Sequence, residues 1–353
     1  MELLQKTLAA ILAPDADIRA QAHERLSQLT MPHWALGRLM DLAEDLAAMS
    51  GSLSPVVTKK VVVVMAADHG VTAEGVSQYP SEVTPQMVYN FVRGGAGINA
   101  LADLAQAKVV VVDMGVAADL KLLATEGKII DKKIRRGTAN MAQGPAMLRS
   151  EAIASLEAGI VLANELAPVY DLLATGDMGI GNTTASAAIL SSLTGYPVEL
   201  ATGRGTGIDS ERLQYKITVI KKALEINRPD ASDPIDVLTK VGGLEIGGIA
   251  GFILGCAANK KSVVVDGFIS SAGAMIAKGL CSASTEYMIA GHCSVEPGHK
   301  EMLKWLNKKA LLDLDMRLGE GTGAVLAMNL VEAAQRILTR VATFSEAAVS
   351  GPA

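Results

Sequence analysis

Five short runs of Val, Ile, Leu and Ala divide the chain: KKVVVVMAADHG (59–70), AKVVVVDMGV (107–116), YDLLATGDMG (170–179), KSVVVDGFIS (261–270) and EYMIAGHCSV (286–295). Their apolar positions are continuous rather than alternating, which requires that other elements cover both faces. Helix-length stretches separate the runs, so they read as buried parallel strands of β-α-β units. The pattern predicts an α/β fold, a layered, mostly parallel Rossmann-like sheet domain over 55–300. Residues 1–50 and 300–346 hold no such run and read as helices with a face of Ala, Leu and Met. They predict a small helical domain built from both termini, 1–54 plus 301–353, with MSGSLSPVVTKK (49–60) as the first boundary. The most apolar segment, IGGIAGFILGCAAN (246–259), is too short to span a bilayer and reads as a buried helix.

Composition narrows the function classes. Half of the 353 residues are apolar but only 3% are aromatic, an interior suited to helices packed on a parallel sheet. A net charge of −5 and the absence of any Lys and Arg run argue against nucleic acid as a partner. Cys256, Cys281 and Cys293 are too few and too scattered for a disulfide framework or a CxxC metal site. The first residues, MELLQKTLAAILAPDADIRAQAH, lack the basic stretch, long apolar core and cleavage site of a signal peptide. A cytoplasmic protein with no membrane partner is expected.

Small or polar residues end most of the apolar runs: Asp68 and His69, Asp113, Gly176 and Asp177, Asp266 and Gly267, His292 and Ser294. In open α/β sheets ligands bind beyond the carboxyl ends of the strands, so these residues mark the expected site. Any one of them alone is equally a helix cap. His69, His292 and His299 do not share the i, i+4 spacing of ligands on one helix, and neither a metal nor a cofactor is expected.

Four glycine clusters need separate readings. RGGAGINALADLA (93–105) matches GxGxxA through Gly95, Gly97 and Ala100, but it follows the helix-like PQMVYNFV rather than a strand. As a dinucleotide fingerprint it fails, and an NAD-linked oxidoreductase falls with it. ATGDMGIGNTTASAAIL (174–190) reads as strand, glycine-rich turn and helix in that order. Its backbone N–H groups and the Thr183 and Thr184 hydroxyls suit an anion, although the same pattern also describes a tight strand-to-helix turn. No Lys follows the glycines as a P-loop requires. TGRGTGIDSERLQYKI (202–217) reads as a turn into a helix capped by Asp209 or Ser210, with Lys216 in its second turn. RLGEGTGAVLAM (317–328) sets Glu320 between Gly319 and Gly321 just before an apolar helix. The helix dipole favours a carboxylate there, so a plain helix start competes with a chemical role.

Taken in order, ADHGV, GDMGIGNTTASAA, GRGTG, KVGGLEIGGIAG, VDGFISSAGAM, AGHCSVEPGHK and LLDLDMRLGEGTGAVLAM resemble the motifs of the nicotinate-nucleotide:dimethylbenzimidazole phosphoribosyltransferase family, over residues 20 to 335. The resemblance implies a sheet domain with a small terminal domain, a homodimer, and transfer of phosphoribosyl from nicotinate mononucleotide to an aromatic base. It implies Glu320 as the general base. It also implies that Gly179, Ile180, Gly181, Asn182, Thr183 and Thr184 hold the 5′-phosphate, helped by Lys216 and Ser294. Asp177, where the family usually carries Glu, is expected to face the ribose hydroxyls. Tyr79, Ser81, Gln86, Met87, Met178 and Leu318 are expected around the aromatic acceptor. The segment TMPHWALGRL (30–39) keeps little of the family's usual stretch, and Trp34 in it is expected to pack in the core. Cys293 stands where Arg is common in the family and is expected to be buried and inert.

Two other functions fit the residues less well. A variant accepting phenol or p-cresol would use Glu320 on the hydroxyl proton. A noncatalytic chain in a heterodimer of related subunits has no need of the intact GEGTG.

Overall fold

A computed structural model describes residues 1–205 and 207–351. All five predicted runs are strands: β1 (Lys60–Ala67), β2 (Ala107–Gly115), β4 (Leu172–Met178), β5 (Val263–Val265) and β6 (Met288–Ala290), with β3 (Ile130–Asp131) beyond β2. Only β3 was not anticipated, because a two-residue strand carries no periodicity. Every pairing is parallel, in the order β3-β2-β1-β4-β5-β6. This doubly wound order reverses between β1 and β4, and the crevice at such a reversal is where ligands bind. The register places Ala66 of β1 beside Met178 of β4, so the two strands end together at the crevice.

Helices cover both faces, as the continuous apolar runs require. A Cβ on Gly248, in helix Leu244–Ala258, would meet Met65 and Met114, whereas one on Gly321, at the mouth of helix Thr322–Arg340, would meet Val62. Positions 62 and 65 of a strand point to opposite faces. Helix Leu244–Ala258 is the apolar segment read from the sequence, and all but the last of its residues are buried. It packs against helices Arg149–Leu166 and Phe268–Leu280. Contact with the first is close enough that a Cβ on Gly159 would run into the Gly248 carbonyl. Among the described residues no helix is long and apolar enough to cross a membrane.

The termini divide unequally. Helices Ala16–Ser27 and Arg38–Ser50 pack on Thr322–Arg340, and Arg25 ties this group together by donating to the Leu338 carbonyl at 2.9 Å and pairing with Glu346 at 2.9 Å. Helix Glu2–Ala10 lies instead on Arg149–Leu166 and Leu244–Ala258, and His299–Leu306 lies on Phe268–Leu280. A small terminal unit is therefore proposed for three helices, narrower than the segments 1–54 and 301–353. The stretch 307–321 is irregular rather than helical, and that irregular backbone carries Glu320 into the crevice. Trp34 is only partly buried against the core, stacks on His23 with ring centroids 4.8 Å apart and donates to Asp41 at 2.7 Å.

Candidate active site

A cavity of about 480 Å³ opens at the crevice. It is lined by residues from the ends of β4, β5 and β6, from the helix Val83–Arg93 and from the irregular segment before Thr322. Of the residues expected at a site, Tyr79, Met87, Asp177, Met178, Gly179, Ile180, Asn182, Thr183, Ser294, Leu318 and Glu320 line it together. Five others do not line it. Gly181 is the N-cap of helix Asn182–Thr194 at φ +96°, backed by Thr72 and His69. Thr184 is buried beneath the turn, and its hydroxyl has no hydrogen-bond partner among the described residues. Lys216 stands one layer back, behind Thr183. The Ser81 hydroxyl bonds that of Thr72 at 3.0 Å. Gln86 is exposed, one position before Met87 on its helix and so on another face.

At one end of the cavity the glycine turn meets a cationic corner. Three N–H groups of the turn are already engaged within the protein: Ile180 with the Thr84 hydroxyl, Asn182 with the Gly179 carbonyl and Thr184 with the Gly181 carbonyl. That leaves Thr183 as the turn's best-placed contributor. Lys216, only 2% exposed, donates from Nζ to Thr183 Oγ1 at 2.8 Å. Burial lowers the pKa of this amine to about 8, with Glu296 acting in the opposite direction. Glu296 and Arg317 line the same corner, and Arg317 donates to the Gly205 carbonyl at 3.0 Å. Neither was singled out in the sequence; the only signal for Glu296 was its place in the AGHCSVEPGHK motif.

Behind the turn, His69 Nε2 lies 2.6 Å from Glu245 Oε1, both fully buried. Burial by itself would lower the His69 pKa, but the Glu245 carboxylate outweighs it and the net shift is upward. Asp177 sits between the turn and Glu320. Its Oδ2 accepts from Asn182 at 3.0 Å, and burial, together with the carboxylates of Asp266, Glu245 and Glu320, pushes its pKa well above the usual range.

Glu320 occupies the opposite, more apolar end beside Met178 and Leu318. Gly319, Glu320 and Gly321 take φ of +81°, +63° and +90°. Glycine adopts this left-handed backbone freely, whereas a Glu is strained there by about 1–3 kcal/mol. Glu320 is 5% exposed, and its carboxyl accepts from the Ile98 N–H at 3.1 Å, in the first turn of helix Gly97–Ala105. Burial raises its pKa, the Ile98 N–H opposes this, and the nearby Asp266 charge adds to it. Glu320 therefore does not cap the helix that follows. The N-cap of that helix is Gly321, and its N–H groups are taken by Asp266 from another segment, which accepts from Ala324 N at 2.9 Å and Gly321 N at 3.3 Å. The GxGxxA motif, empty of meaning as a nucleotide fingerprint, supplies the N–H that holds Glu320.

Cys293 is half-buried rather than buried, and borders a separate surface pocket with Lys300 and Lys304. No group of three or more His, Cys, Asp or Glu side chains among the described residues is placed to hold a metal ion.

Fold and site together define a doubly wound α/β enzyme with a cation-lined corner at one end of its cavity and a buried carboxylate at the other. A family model described as phosphoribosyltransferase matches residues 11–349, and the chain belongs to that family. It is 59% identical over 350 residues to a nicotinate-nucleotide–dimethylbenzimidazole phosphoribosyltransferase of Syntrophotalea carbinolica, covering 99% of each chain. With the enzyme of the same name from Desulfotalea psychrophila it shares 55% identity, over 100% of this chain and 99% of the other. The crystal structure of CobT from Thermus thermophilus superposes with a TM-score of 0.91 at 48% identity, over 95% of this chain and 100% of that one.

Proposed function

We propose that this phosphoribosyltransferase moves the 5-phosphoribosyl group from nicotinate mononucleotide to 5,6-dimethylbenzimidazole or a related aromatic base, releasing nicotinate and forming α-ribazole 5′-phosphate. The bond from C1′ to the pyridinium nitrogen breaks while the bond from C1′ to a base nitrogen forms. The leaving nitrogen is already quaternary and departs neutral, so no general acid is required. The other nitrogen of the acceptor ring loses its proton to Glu320. The observation that carries the reading is the Glu320 carboxyl itself: buried, held by a single backbone N–H and facing an apolar end of the cavity beside Leu318 and Met178. At the other end, Thr183 of the turn 179–184 and Ser294 take the 5′-phosphate, with Lys216 supplying charge from behind Thr183. Asp177 faces the ribose between them. The names of the relatives support a benzimidazole over a phenol as acceptor. A homodimer in the cytoplasm belongs to the same reading, and unpaired Cys256, Cys281 and Cys293 suit a reducing compartment.

Incubation of the purified protein with nicotinate mononucleotide and a panel of benzimidazoles, purines and phenols tests the reaction. Nicotinate release is expected with benzimidazoles first; release with phenols alone would replace the acceptor, and no release with any would end the proposal. Sedimentation of the same preparation checks the dimer.

The phosphate end has its own expected result. An amine with a pKa of about 8 is charged below that pH and neutral above it. Because kcat/KM for nicotinate mononucleotide reports the free enzyme, it should decline above about pH 8. Lys216→Met removes one charge-assisted hydrogen bond, of roughly 1.5–3 kcal/mol, and should lower kcat/KM by about 10- to 100-fold at neutral pH. The same variant should lose the alkaline decline, and a decline that persists would assign it to another group.

A further inference from the structure

Glu320 sits in a backbone conformation that its own residue type disfavours, so something outside the turn must hold it there. Gly319 and Gly321 permit the turn but do not impose it. Asp266, one residue beyond β5, reaches across to the next segment and binds both sides of the junction: Oδ2 accepts from Gly321 N at 3.3 Å and Oδ1 from Ala324 N at 2.9 Å. The Gly323 N–H points at the same carboxylate. Its own backbone N–H is held in turn by Thr175 Oγ1 at 3.3 Å, which ties Asp266 to β4. On its other side lies His292, Nε2 at 3.8 Å, wedged between Gly267 and Gly323, where a Cβ on either glycine would collide with the ring. Both carboxylate oxygens of Asp266 are thus committed to the loop that carries Glu320, and Asp266 is not among the residues that line the cavity.

We propose that Asp266, backed by His292, is a positioning residue that locks the Gly319–Gly321 turn and so fixes the place from which the Glu320 side chain reaches the acceptor. The proposal rests on Glu320 being the general base. Asp266 acts in two ways. Mechanically, two N–H donors on one fixed carboxylate pin the residue after Glu320 and the first turn of the helix, so the Glu320 side chain projects toward the acceptor from a fixed origin. Electrostatically, a second negative charge nearby makes Glu320 a better proton acceptor. The titratable groups that face Glu320 are Asp266 from the end of β5 and Asp177 from the end of β4, with His292 beyond the first and Glu245 beyond the second. Asp266 acts on Glu320 in the direction of higher pKa; burial raises the pKa of Asp266 itself, while His292 and the N–H groups of Gly321, Gly323 and Ala324 act in the opposite direction.

The test compares Asp266→Asn, Asp266→Glu and Glu320→Gln by kcat, KM for nicotinate mononucleotide and the pH profile of kcat. Asp266→Asn keeps one acceptor oxygen but loses the charge and one of the two bonds. Misplacing a reacting group by about 1 Å costs on the order of 100-fold, so kcat should fall by about 10- to 100-fold while KM for the nucleotide stays within about twofold. The acidic limb of its profile should move to lower pH. Asp266→Glu keeps the charge and disturbs the geometry, so its kcat should fall while the limb stays in place. A role in folding alone predicts a lower melting temperature with wild-type kcat per folded molecule and an unmoved limb in both variants, and that result overturns the proposal. Should Asp266→Asn not fold, Asp266→Glu decides by itself: a kcat within about twofold of wild type overturns the proposal, and a loss of about tenfold or more at unchanged KM upholds it. Glu320→Gln separates the two levels. If it is as active as wild type, the general-base reading fails; if it is inactive while Asp266→Asn behaves as wild type, only the positioning role fails.

Discussion

Glu320→Gln is expected to lower kcat by about 10²- to 10⁴-fold, the usual contribution of a positioned general base. The amide keeps the length of the side chain and can still accept the Ile98 N–H, but it cannot take a proton. What folding loses is the difference between a charged and a neutral acceptor in one hydrogen bond, about 1 kcal/mol, which shifts the melting temperature of a domain this large by no more than about 4 °C. If Glu320 merely started the helix, the ranking would reverse, with a small loss of stability and full turnover. The cap geometry already weighs against that, because Asp266 accepts the helix N–H groups and Glu320 accepts from a different helix. A pH profile adds a second readout. Glu320 works only when ionised, and burial, with the charge of Asp266, raises its pKa. Activity should therefore fall with decreasing pH along a limb placed above the ordinary carboxylate value of about 4.3, and that limb should vanish from whatever activity Glu320→Gln retains. A variant with wild-type turnover would remove the residue on which the mechanism rests.

The parts of the fold legible in the sequence were those written in runs. VVVV in β1 is buried throughout, that in β2 is buried at Val111 and Val112 and half-buried at Val109 and Val110, and the polar residues that follow each strand mark the ligand-binding edge whatever the strand order. Which strand lies beside which is not periodic information: β1 pairs with β4 across 104 residues of intervening chain, 68–171, and nothing local in either run encodes it. The site divides along the same line. Thr183 and Glu320 were found because each stands in a local pattern, a glycine turn opening a helix. Ile98 and Glu296 escaped, and Asp266 was marked only as a strand-end residue, because their roles are relations between segments far apart in sequence, a separation of 222 positions for Ile98 and Glu320 and of 58 for Asp266 and Ala324. Gln86 was drawn in by its neighbour Met87, yet adjacent helix positions diverge by about 100°, so only one of the two faces the cavity.

Gly176→Ala should be nearly as damaging as loss of the base, although residue 176 carries no functional group. It lies in β4 where the turn bearing Glu320 crosses the strand, and a Cβ there would stand 2.5 Å from the Glu320 carbonyl oxygen, 2.7 Å from its carbonyl carbon and 2.9 Å from Gly321 N. All three neighbours are backbone, so no side chain can swing aside; either the sheet or the turn must move. The sheet is the stiffer partner, because Gly176 is paired with Val64 in the centre of six strands. The turn shifts instead, and with it the origin of the Glu320 side chain. Overpacking of this kind costs about 1–3 kcal/mol of stability. A displacement of about 1 Å at the base costs on the order of 100-fold in kcat. The phosphate corner is built by Thr183 and Lys216 at the far end of the cavity, so KM for nicotinate mononucleotide should change less than kcat. Gly144→Ala is the matched control, since a Cβ there meets nothing within 4 Å, and it should leave both kinetic constants at the wild-type level. A Gly176→Ala enzyme with the same kcat as Gly144→Ala would mean that the turn tolerates displacement, and that the close crossing of β4 and the Gly319–Gly321 backbone serves packing rather than the placement of the base.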